Sequence, residues 1–238
     1  MNVKFVDYNF IIIGYGRWSQ IYIKTLLRYF LKKTIFVYSK SNFEKLKLEK
    51  KILNSNKIKN LKSFFFNKKK KYVLIICNKN NQRKKYINFA LKNKIDCICE
   101  KPFLLGKNDM IKILQNFKKE KIKFFLSLPW IFNNHISKII KKEKLNFDKI
   151  KIEWHEKDNV IKYGLKKIFD KKISFYKDVI SHIVSFIYKF IAKKEFNLRY
   201  KNSSLIFLKK TKIILDLKRN SKKNLRKISF YKTNNQLQ

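Results

Sequence analysis

The sequence predicts an α/β fold in two parts: a parallel sheet with crossover helices, then a short α+β domain with a mostly antiparallel sheet. Two observations support this prediction. In the first half of the chain, short apolar runs alternate with longer helical patterns, which is typical of βαβ units. In the second half, strand-like segments gather near the C-terminus, and such a run of strands favours antiparallel pairing.

The first half is predicted to contain five strands and four helices. The continuous apolar run from Val73 to Cys77 is typical of a strand that is buried on both faces. The strands are expected at 9–13, 34–38, 72–77, 95–99 and 122–127. The helices are expected at 18–31, 42–53, 81–92 and 107–117.

The two domains are predicted to span residues 1–128 and 129–238, since the pattern breaks around Pro129. The stretch 128–134 would be the crossing point between them. The second domain is expected to have an α+β fold, with an Asn/Gln-rich tail at 233–238 that is frayed. Its helices are expected at 135–142 and 176–191, and its strands at 149–154, 196–200, 204–208 and 212–217.

The formal net charge is +43, yet only six of the 59 basic residues are arginine. The lysines are spread over the whole chain, which indicates a general compositional bias. A selected phosphate-binding patch would be local and richer in arginine. We therefore expect no specific nucleic-acid partner. With no signal peptide pattern and no apolar run of about 18 residues, we expect a soluble cytoplasmic protein that does not bind membranes.

The cysteines and histidines give no metal-binding pattern. Cys77, Cys97 and Cys99 each lie in an apolar strand-like run, which indicates small core residues in a reducing compartment. Cys97 and Cys99 are too few to form a zinc site. His135 and His155 are interpreted as surface or structural histidines.

A glycine-rich turn follows the first predicted strand and opens the first predicted helix. In the stretch Gly14-Tyr15-Gly16-Arg17-Trp18, Gly14 would permit a tight turn and Gly16 would let a pyrophosphate approach the backbone. The helix start would offer unpaired N–H groups to that anion. The third glycine of the usual pattern is replaced by the small Ser19. This context predicts a Rossmann dinucleotide-binding domain, the alternative being a plain strand-to-helix turn.

The second predicted strand does not end in the acidic residue that usually binds the adenosine ribose of NAD. It ends in Val37-Tyr38-Ser39-Lys40, and no acidic residue follows until Glu44. Ser39 and Lys40 could instead bind a 2′-phosphate, which favours NADP over NAD. The alternative is that Lys40 is one more surface lysine.

Three further motifs resemble the Gfo/Idh/MocA family, which is named for glucose-fructose oxidoreductase and inositol dehydrogenase. They are Asn78 after the third strand, the triplet Glu100-Lys101-Pro102 after the fourth strand, and the helical pair Asp178 and His182. Residues four apart in a helix share one face, so the carboxylate of Asp178 could orient the imidazole of His182. An Asp/His pair with this spacing is otherwise more often surface or capping chemistry.

The resemblance implies an NAD(P)-dependent dehydrogenase or reductase acting on CH–OH groups of a sugar, nucleotide sugar or cyclitol, with a place in surface carbohydrate biosynthesis. It implies that Lys101 hydrogen-bonds the reacting oxygen, and that His182 moves the hydroxyl proton with Asp178 setting its orientation. Glu100 and Pro102 would shape the strand end beside the nicotinamide ribose, and Asn78 would lie along the dinucleotide. The resemblance also implies that the second domain, 129–238, is a shortened domain that binds the substrate and forms a homo-oligomer through its sheet.

The chain also departs from the family pattern. Residues 173–177 lack the glycines that usually precede the Asp/His helix, Arg83 stands where a histidine is usual, and the second domain is short. These departures leave open an alternative: a catalytically inactive, nucleotide-binding relative with a regulatory or scaffolding role. The charge of +43 leaves a second alternative, a basic nucleic-acid-binding protein.

Overall fold

The computed structural model divides the chain into two compact units, Met1–Ser127 and Leu128–Gln238. The boundary predicted from the sequence lies one residue from this division. The predicted elements 42–53, 135–142 and 196–200 lie outside the residues that the structure describes. The described residues are 8–29, 35–39, 58, 60–64, 66–67, 69–132, 148–157, 161–162, 165–166, 173–190, 205–208, 211–232 and 235–237.

The first unit contains a five-stranded sheet in which every pairing is parallel. The strand order is β2-β1-β3-β4-β5. The chain thus adds β2 on one side of β1 and then crosses to the other side of β1 for β3, β4 and β5. The predicted parallel Rossmann sheet is therefore confirmed. The strands are β1 (Tyr8–Ile13), β2 (Ile35–Tyr38), β3 (Lys71–Ile76), β4 (Asp96–Glu100) and β5 (Phe124–Ser127).

Helices cover both faces of this sheet: α1 (Arg17–Tyr29), α2 (Asn80–Lys92) and α3 (Lys107–Lys119). Residues of α2 and α3 belong to one apolar cluster with Leu74 and Ile76 of β3, whereas α1 shares a second cluster with Ile75. Strand β3 is thus buried on both sides, as its uninterrupted apolar run predicts. Cys97 and Cys99 are fully buried free thiols in the first cluster, as predicted.

The second unit contains a mixed sheet of order β12-β11-β6-β10-β9. The β6–β10 pair is parallel and the other three pairs are antiparallel, so the sheet is mostly antiparallel as predicted. Helix α4 (Phe175–Phe190) packs on one face through Ile183, Phe186 and Ile187. The strands are β6 (Lys149–Glu156), β9 (Leu205–Leu208), β10 (Thr211–Arg219), β11 (Leu225–Lys232) and β12 (Asn235–Leu237), with a small hairpin of β7 (Ile161–Lys162) and β8 (Leu165–Lys166).

The C-terminal segment differs from its prediction. Asn235–Leu237 forms strand β12 and pairs with β11, so the prediction of a frayed tail is wrong for these residues. Strand β11 itself was not predicted. Its apolar side chains Ile228 and Phe230 pack against the α4 cluster, and its backbone pairs with β6 on one side and with β12 on the other. Among the described helices, none has the length and apolar character needed to cross a membrane.

The core of the first unit can be tested on α3, where two apolar side chains have opposite environments. Phe117 is 2% exposed and packs against the sheet, whereas Leu114 on the same helix is 47% exposed. We expect Phe117→Ala to lower the free energy of unfolding by roughly 3–5 kcal/mol, because it leaves a cavity in the core. Leu114→Ala should change it by no more than about 0.5 kcal/mol. Urea denaturation measures both, and equal effects would contradict this core.

Candidate active site

The turn after β1 brings the ends of β1 and β3 close together. Gly14 has a φ of +98°, which L side chains rarely adopt, and its N–H donates to the carbonyl of Tyr38 at 2.8 Å. A Cβ added at Gly14 would lie 3.4 Å from the backbone N and Cα of Asn78. Both the dihedral angle and the close approach therefore require glycine at this position.

Gly16 is exposed and has a different role. A Cβ added there would meet no atom within 4 Å, so neither packing nor dihedral strain requires glycine in the protein itself. Its carbonyl accepts from the N–H of Gln20 at 3.1 Å, so α1 begins directly after it. The first N–H groups of a helix have no partner within the helix. An open space beside them fits an incoming phosphate.

The other residues of the turn divide between the core and the surface. Tyr15 and Ser19 are buried, and Ser19 replaces the third glycine where α1 packs on the sheet. The guanidinium carbon of Arg17 lies 5.4 Å from the centroid of the Trp18 ring. The Nη1 atom of Arg17 is buried without a hydrogen-bond partner. Such an atom fits a site that is completed by a negatively charged ligand.

Asn78 follows β3 and faces the glycine turn. Its carbonyl accepts from Nε of Arg83 at 3.1 Å, and its Nδ2 donates to Oε1 of Gln82 at 3.3 Å. Its Oδ1 is buried without a hydrogen-bond partner. Together with the unpaired Nη1 of Arg17 and the open space at Gly16, this acceptor fits a dinucleotide that has both phosphate and hydroxyl groups. Ser39 is half-buried directly after β2, and Lys40 lies outside the described residues.

Glu100, at the carboxyl end of β4, lies in a buried hydrogen-bond network and is only 3% exposed. The hydroxyl of Tyr22 donates to Oε1 of Glu100 at 3.0 Å and lies 2.9 Å from Oγ of Ser127. Burial raises the pKa of Glu100, although hydrogen bonds from Ser127 and Tyr22 and the charges of Arg83 and Lys101 oppose this rise. Burial also raises the pKa of Tyr22. The carboxylate of Glu100 thus ties α1, β4 and β5 together.

Arg83 of α2 organises the backbone that follows β4. Arg83 is 6% exposed, and Nη1 of its guanidinium donates to the carbonyls of Glu100 and Pro102. Its Nη2 donates to the carbonyl of Lys101 at 3.5 Å. Lys101 is half-buried, Pro102 is buried, and the peptide bond between them is cis. The sequence marks Arg83 only as a departure from a family pattern, and the structure shows that it contacts the whole predicted triplet.

The predicted pair Asp178 and His182 lies in the second unit, one turn apart on α4. Asp178 is in the first turn of the helix and half-buried, and His182 is 8% exposed. The imidazole stacks on the indole of Trp154 from β6, with ring centroids 5.4 Å apart and an interplanar angle of 7°. This parallel contact fixes the plane of the imidazole. The sequence did not predict this contact between Trp154 and His182.

The indole of Trp154 is itself held by charged neighbours. Its Nε1 donates to Oε1 of Glu156 at 3.3 Å, and Nη2 of Arg226 donates to the same oxygen at 3.2 Å. The guanidinium carbon of Arg226 also lies 4.5 Å from the centroid of the indole ring. Trp154 is therefore fixed by both its polar edge and its ring face. The orientation of His182 depends on this arrangement.

His155 points away from this arrangement because adjacent residues of a strand face opposite sides of the sheet. Its Nε2 lies 2.9 Å from Oδ2 of Asp216 on β10. Burial would raise the pKa of Asp216, but the hydrogen bonds and charges of His155 and Lys218 together outweigh this effect and lower it. His155 is thus a structural histidine, as predicted. Within the described ranges, no group of three His, Cys, Asp or Glu side chains could hold a metal ion.

Comparisons with known proteins identify the first unit by sequence. A model of the Gfo/Idh/MocA family, described as an oxidoreductase family with an NAD-binding Rossmann fold, matches residues 8–127. No curated protein matches the chain.

Solved structures match both units at low sequence identity, which shows the fold alone. An oxidoreductase from Bacillus cereus has a TM-score of 0.72 at 13% identity, covering 96% of this chain and 69% of its own. An NAD-binding protein from Listeria innocua has a TM-score of 0.70 at 12% identity, covering 95% and 71%. UDP-N-acetylglucosamine 3-dehydrogenase from Acidithiobacillus ferrooxidans has a TM-score of 0.72 at 10% identity, covering 95% and 74%.

The two glycines of the turn should separate folding from ligand binding. Gly14→Ala should lower the free energy of unfolding by roughly 1–3 kcal/mol, because it forces a side chain into a positive φ. Gly16→Val should leave thermal unfolding nearly unchanged but weaken NADPH binding at least about tenfold, or about 1.4 kcal/mol, because the side chain fills the space for the phosphates. Calorimetry and fluorescence titration measure the two effects. If Gly16→Val bound NADPH as tightly as the unchanged protein, the dinucleotide would not lie on this turn.

Proposed function

We propose a function on the basis of the family, since this chain belongs to the Gfo/Idh/MocA oxidoreductases with an NAD-binding Rossmann fold. In this proposal the chain interconverts a hydroxyl and a keto carbon of a sugar, nucleotide sugar or cyclitol. The observation that carries this proposal is the arrangement around Arg83. It joins Asn78, which contacts the glycine turn, to the Glu100-Lys101-Pro102 segment at one edge of the sheet. Ligands of open α/β sheets bind outside the carboxyl ends of the strands.

The nicotinamide dinucleotide would be held mainly by the glycine turn and its neighbours. The open space at Gly16 and the start of α1 would receive the pyrophosphate, with Arg17 adding positive charge. Oδ1 of Asn78 would accept a hydrogen bond from a hydroxyl of the cofactor. When bound, the dinucleotide supplies the hydride donor or acceptor, and the protein supplies positioning and proton transfer.

Lys101 would stabilise negative charge on the reacting oxygen of the substrate. Its half-buried side chain follows directly after β4, and its backbone carbonyl is bound by Arg83. A fixed ammonium group lowers the energy of an alkoxide-like transition state most where the site excludes water. This role rests on the family resemblance and on the position of Lys101 at the sheet edge.

His182 would take the hydroxyl proton during oxidation and return it during reduction. Two observations support this role: the imidazole stacks on Trp154 of β6, and His182 lies one helical turn from Asp178 on α4. A general base must be held within hydrogen-bond reach of the proton that it removes. The stack restricts the plane of the imidazole ring, and the carboxylate of Asp178 would set the orientation of the ring.

A nucleotide sugar is the first substrate class to test. The dehydrogenase from Acidithiobacillus ferrooxidans, which has the same fold, is named for UDP-N-acetylglucosamine. We propose a screen with UDP-N-acetylglucosamine, UDP-glucose, glucose and inositol. The change in absorbance of the reduced cofactor measures turnover, whether the reaction forms or consumes it. Binding of NADPH without turnover on any of them would favour the catalytically inactive, scaffolding alternative.

The catalytic assignment predicts the effect of two substitutions. Lys101→Ala and His182→Ala should each lower turnover by at least ~10²-fold, because each removes a group that acts in the transition state. NADPH affinity should change little in either variant. Lys107→Ala at the exposed start of α3 and Tyr188→Ala on the exposed face of α4 are matched controls and should keep full turnover. Steady-state kinetics measures all four, and full activity of both test variants would refute the assignment.

The end of β2 supports a preference for NADPH over NADH. Residues 37–40 carry no carboxylate that could bind the 2′-hydroxyl of NADH. We expect NADPH to bind about tenfold more tightly than NADH, or about 1.4 kcal/mol. Ser39→Asp should reverse this order, because a carboxylate repels the 2′-phosphate and accepts from the 2′-hydroxyl. Fluorescence titration of both cofactors against both proteins measures the ratio, and an unchanged ratio in Ser39→Asp would place the adenosine ribose elsewhere.

A further inference from the structure

We propose that Asn80 and Arg83 form a clamp on the segment 100–104 and act as positioning residues for Lys101. This inference rests on the proposed function, because it assigns the two residues a role in the same site. Neither residue need touch the substrate or the cofactor. The clamp acts through the backbone on both sides of Lys101.

Arg83 supplies the first half of the clamp. Its guanidinium donates to the backbone carbonyls of Glu100, Lys101 and Pro102, three consecutive residues. Three carbonyls in succession do not converge on one point in an extended strand, since successive groups point to opposite sides. The convergence therefore defines a particular backbone shape around Lys101, which the guanidinium stabilises.

Asn80 supplies the second half. Its Oδ1 accepts from the backbone N–H of Leu104 at 3.2 Å, and its Nδ2 lies 3.5 Å from the carbonyl of the same residue. Asn80 and Arg83 are three residues apart in the first turn of α2 and therefore share one face of the helix. One turn of helix thus binds both ends of the five-residue segment that contains Lys101.

The clamp also joins Lys101 to the glycine turn. Nε of Arg83 donates to the carbonyl of Asn78, and Asn78 is the residue whose backbone approaches Gly14. A continuous series of contacts therefore runs from Gly14 through Asn78 and Arg83 to Lys101. This arrangement fixes the lysine relative to the turn that would carry the dinucleotide.

The chemistry of the clamp requires arginine. A guanidinium has five N–H donors in a rigid plane, whereas a lysine ammonium is a point charge on a flexible stem. A guanidinium can therefore donate to four carbonyls that lie at different angles, whereas an ammonium group cannot. A buried cation is also costly unless its donors are paired, so the carbonyls of residues 78 and 100–102 stabilise Arg83 in turn.

The experiment compares Arg83→Met and Asn80→Ala with two controls on the exposed face of α2, Lys85→Met and Asn88→Ala. Each protein is first checked by thermal unfolding. Hydrogen–deuterium exchange then reports the backbone N–H groups of Lys101, Phe103 and Leu104 without any ligand, since Pro102 has none. Steady-state kinetics with NADPH and the most active sugar of the screen gives kcat and KM, and Lys101→Ala is the reference for complete loss of the lysine.

We expect exchange in 101–104 to become at least ~10-fold faster in Arg83→Met and in Asn80→Ala, and not in the controls. We expect kcat to fall at least ~10-fold in Arg83→Met with little change in NADPH affinity, because displacing a catalytic group by about 1 Å costs up to ~10²-fold in rate. Arg83→Lys should behave like Arg83→Met. In Arg83→Ala, added guanidinium should restore part of kcat, whereas sodium at the same ionic strength should not.

Unchanged exchange in a folded Arg83→Met protein would overturn the clamp. Suppose that Lys101→Ala abolishes turnover, while Arg83→Met shows faster exchange and an unchanged kcat. This result would overturn the positioning role. If Arg83→Met does not fold, Asn80→Ala decides the same two questions, because its side chain is only partly buried. If no protein shows turnover and Lys101→Ala has no effect, the proposed function fails, and the exchange data still decide whether the clamp exists.

Discussion

The guanidinium of Arg83 connects the ends of two neighbouring parallel strands, and the arrangement of the candidate site depends on this connection. It binds Asn78 after β3 and the segment after β4, two places that are more than 20 residues apart in sequence. Parallel strands place their carboxyl ends at one edge, but hydrogen bonds of the ladder end where the strands end. Beyond that point, side chains must satisfy the backbone carbonyls. Arg83 satisfies four of them at once, so the loops after β3 and β4 behave as one structure.

The second unit holds its candidate proton-transfer residue by a different kind of contact. His182 is positioned by stacking on Trp154, and Trp154 is held by Glu156 and by the guanidinium of Arg226. Stacking fixes the plane of a ring and leaves both nitrogen atoms at its edge, where hydrogen bonds form. The carbonyl of His182 meanwhile accepts from Oγ of Ser185 at 2.7 Å. Hydrogen bonds to backbone fix Lys101, whereas aromatic packing fixes His182.

Much of the fold follows from local patterns, because strands and helices that pack on a core carry their period in the sequence. The predicted elements that the structure describes have ends within two residues of the observed ones. The motif around Lys101 was predicted from the sequence, but the hydrogen bonds that hold it in place were not. Tyr22 and Glu100 are 78 residues apart, and no sequence pattern marks such a pair. Strands β11 and β12 were missed because abundant lysine and asparagine obscure the alternation, while β12 pairs through its backbone, which any residue except proline provides.

Positive charge is so abundant in this chain, with 59 lysines and arginines, that charge alone cannot distinguish one lysine as catalytic. A solvated lysine loses much of its field to water and salt, and its long side chain samples many rotamers. Lys101 differs from a solvated lysine in two ways that the structure shows. First, Arg83 binds the backbone on both sides of Lys101. Second, the neighbouring residue Glu100 is a buried carboxyl: burial raises its pKa, and nearby cations and hydrogen bonds act against this rise. The surroundings of residue 101, rather than its charge, therefore determine whether an ammonium group can act on one oxygen atom.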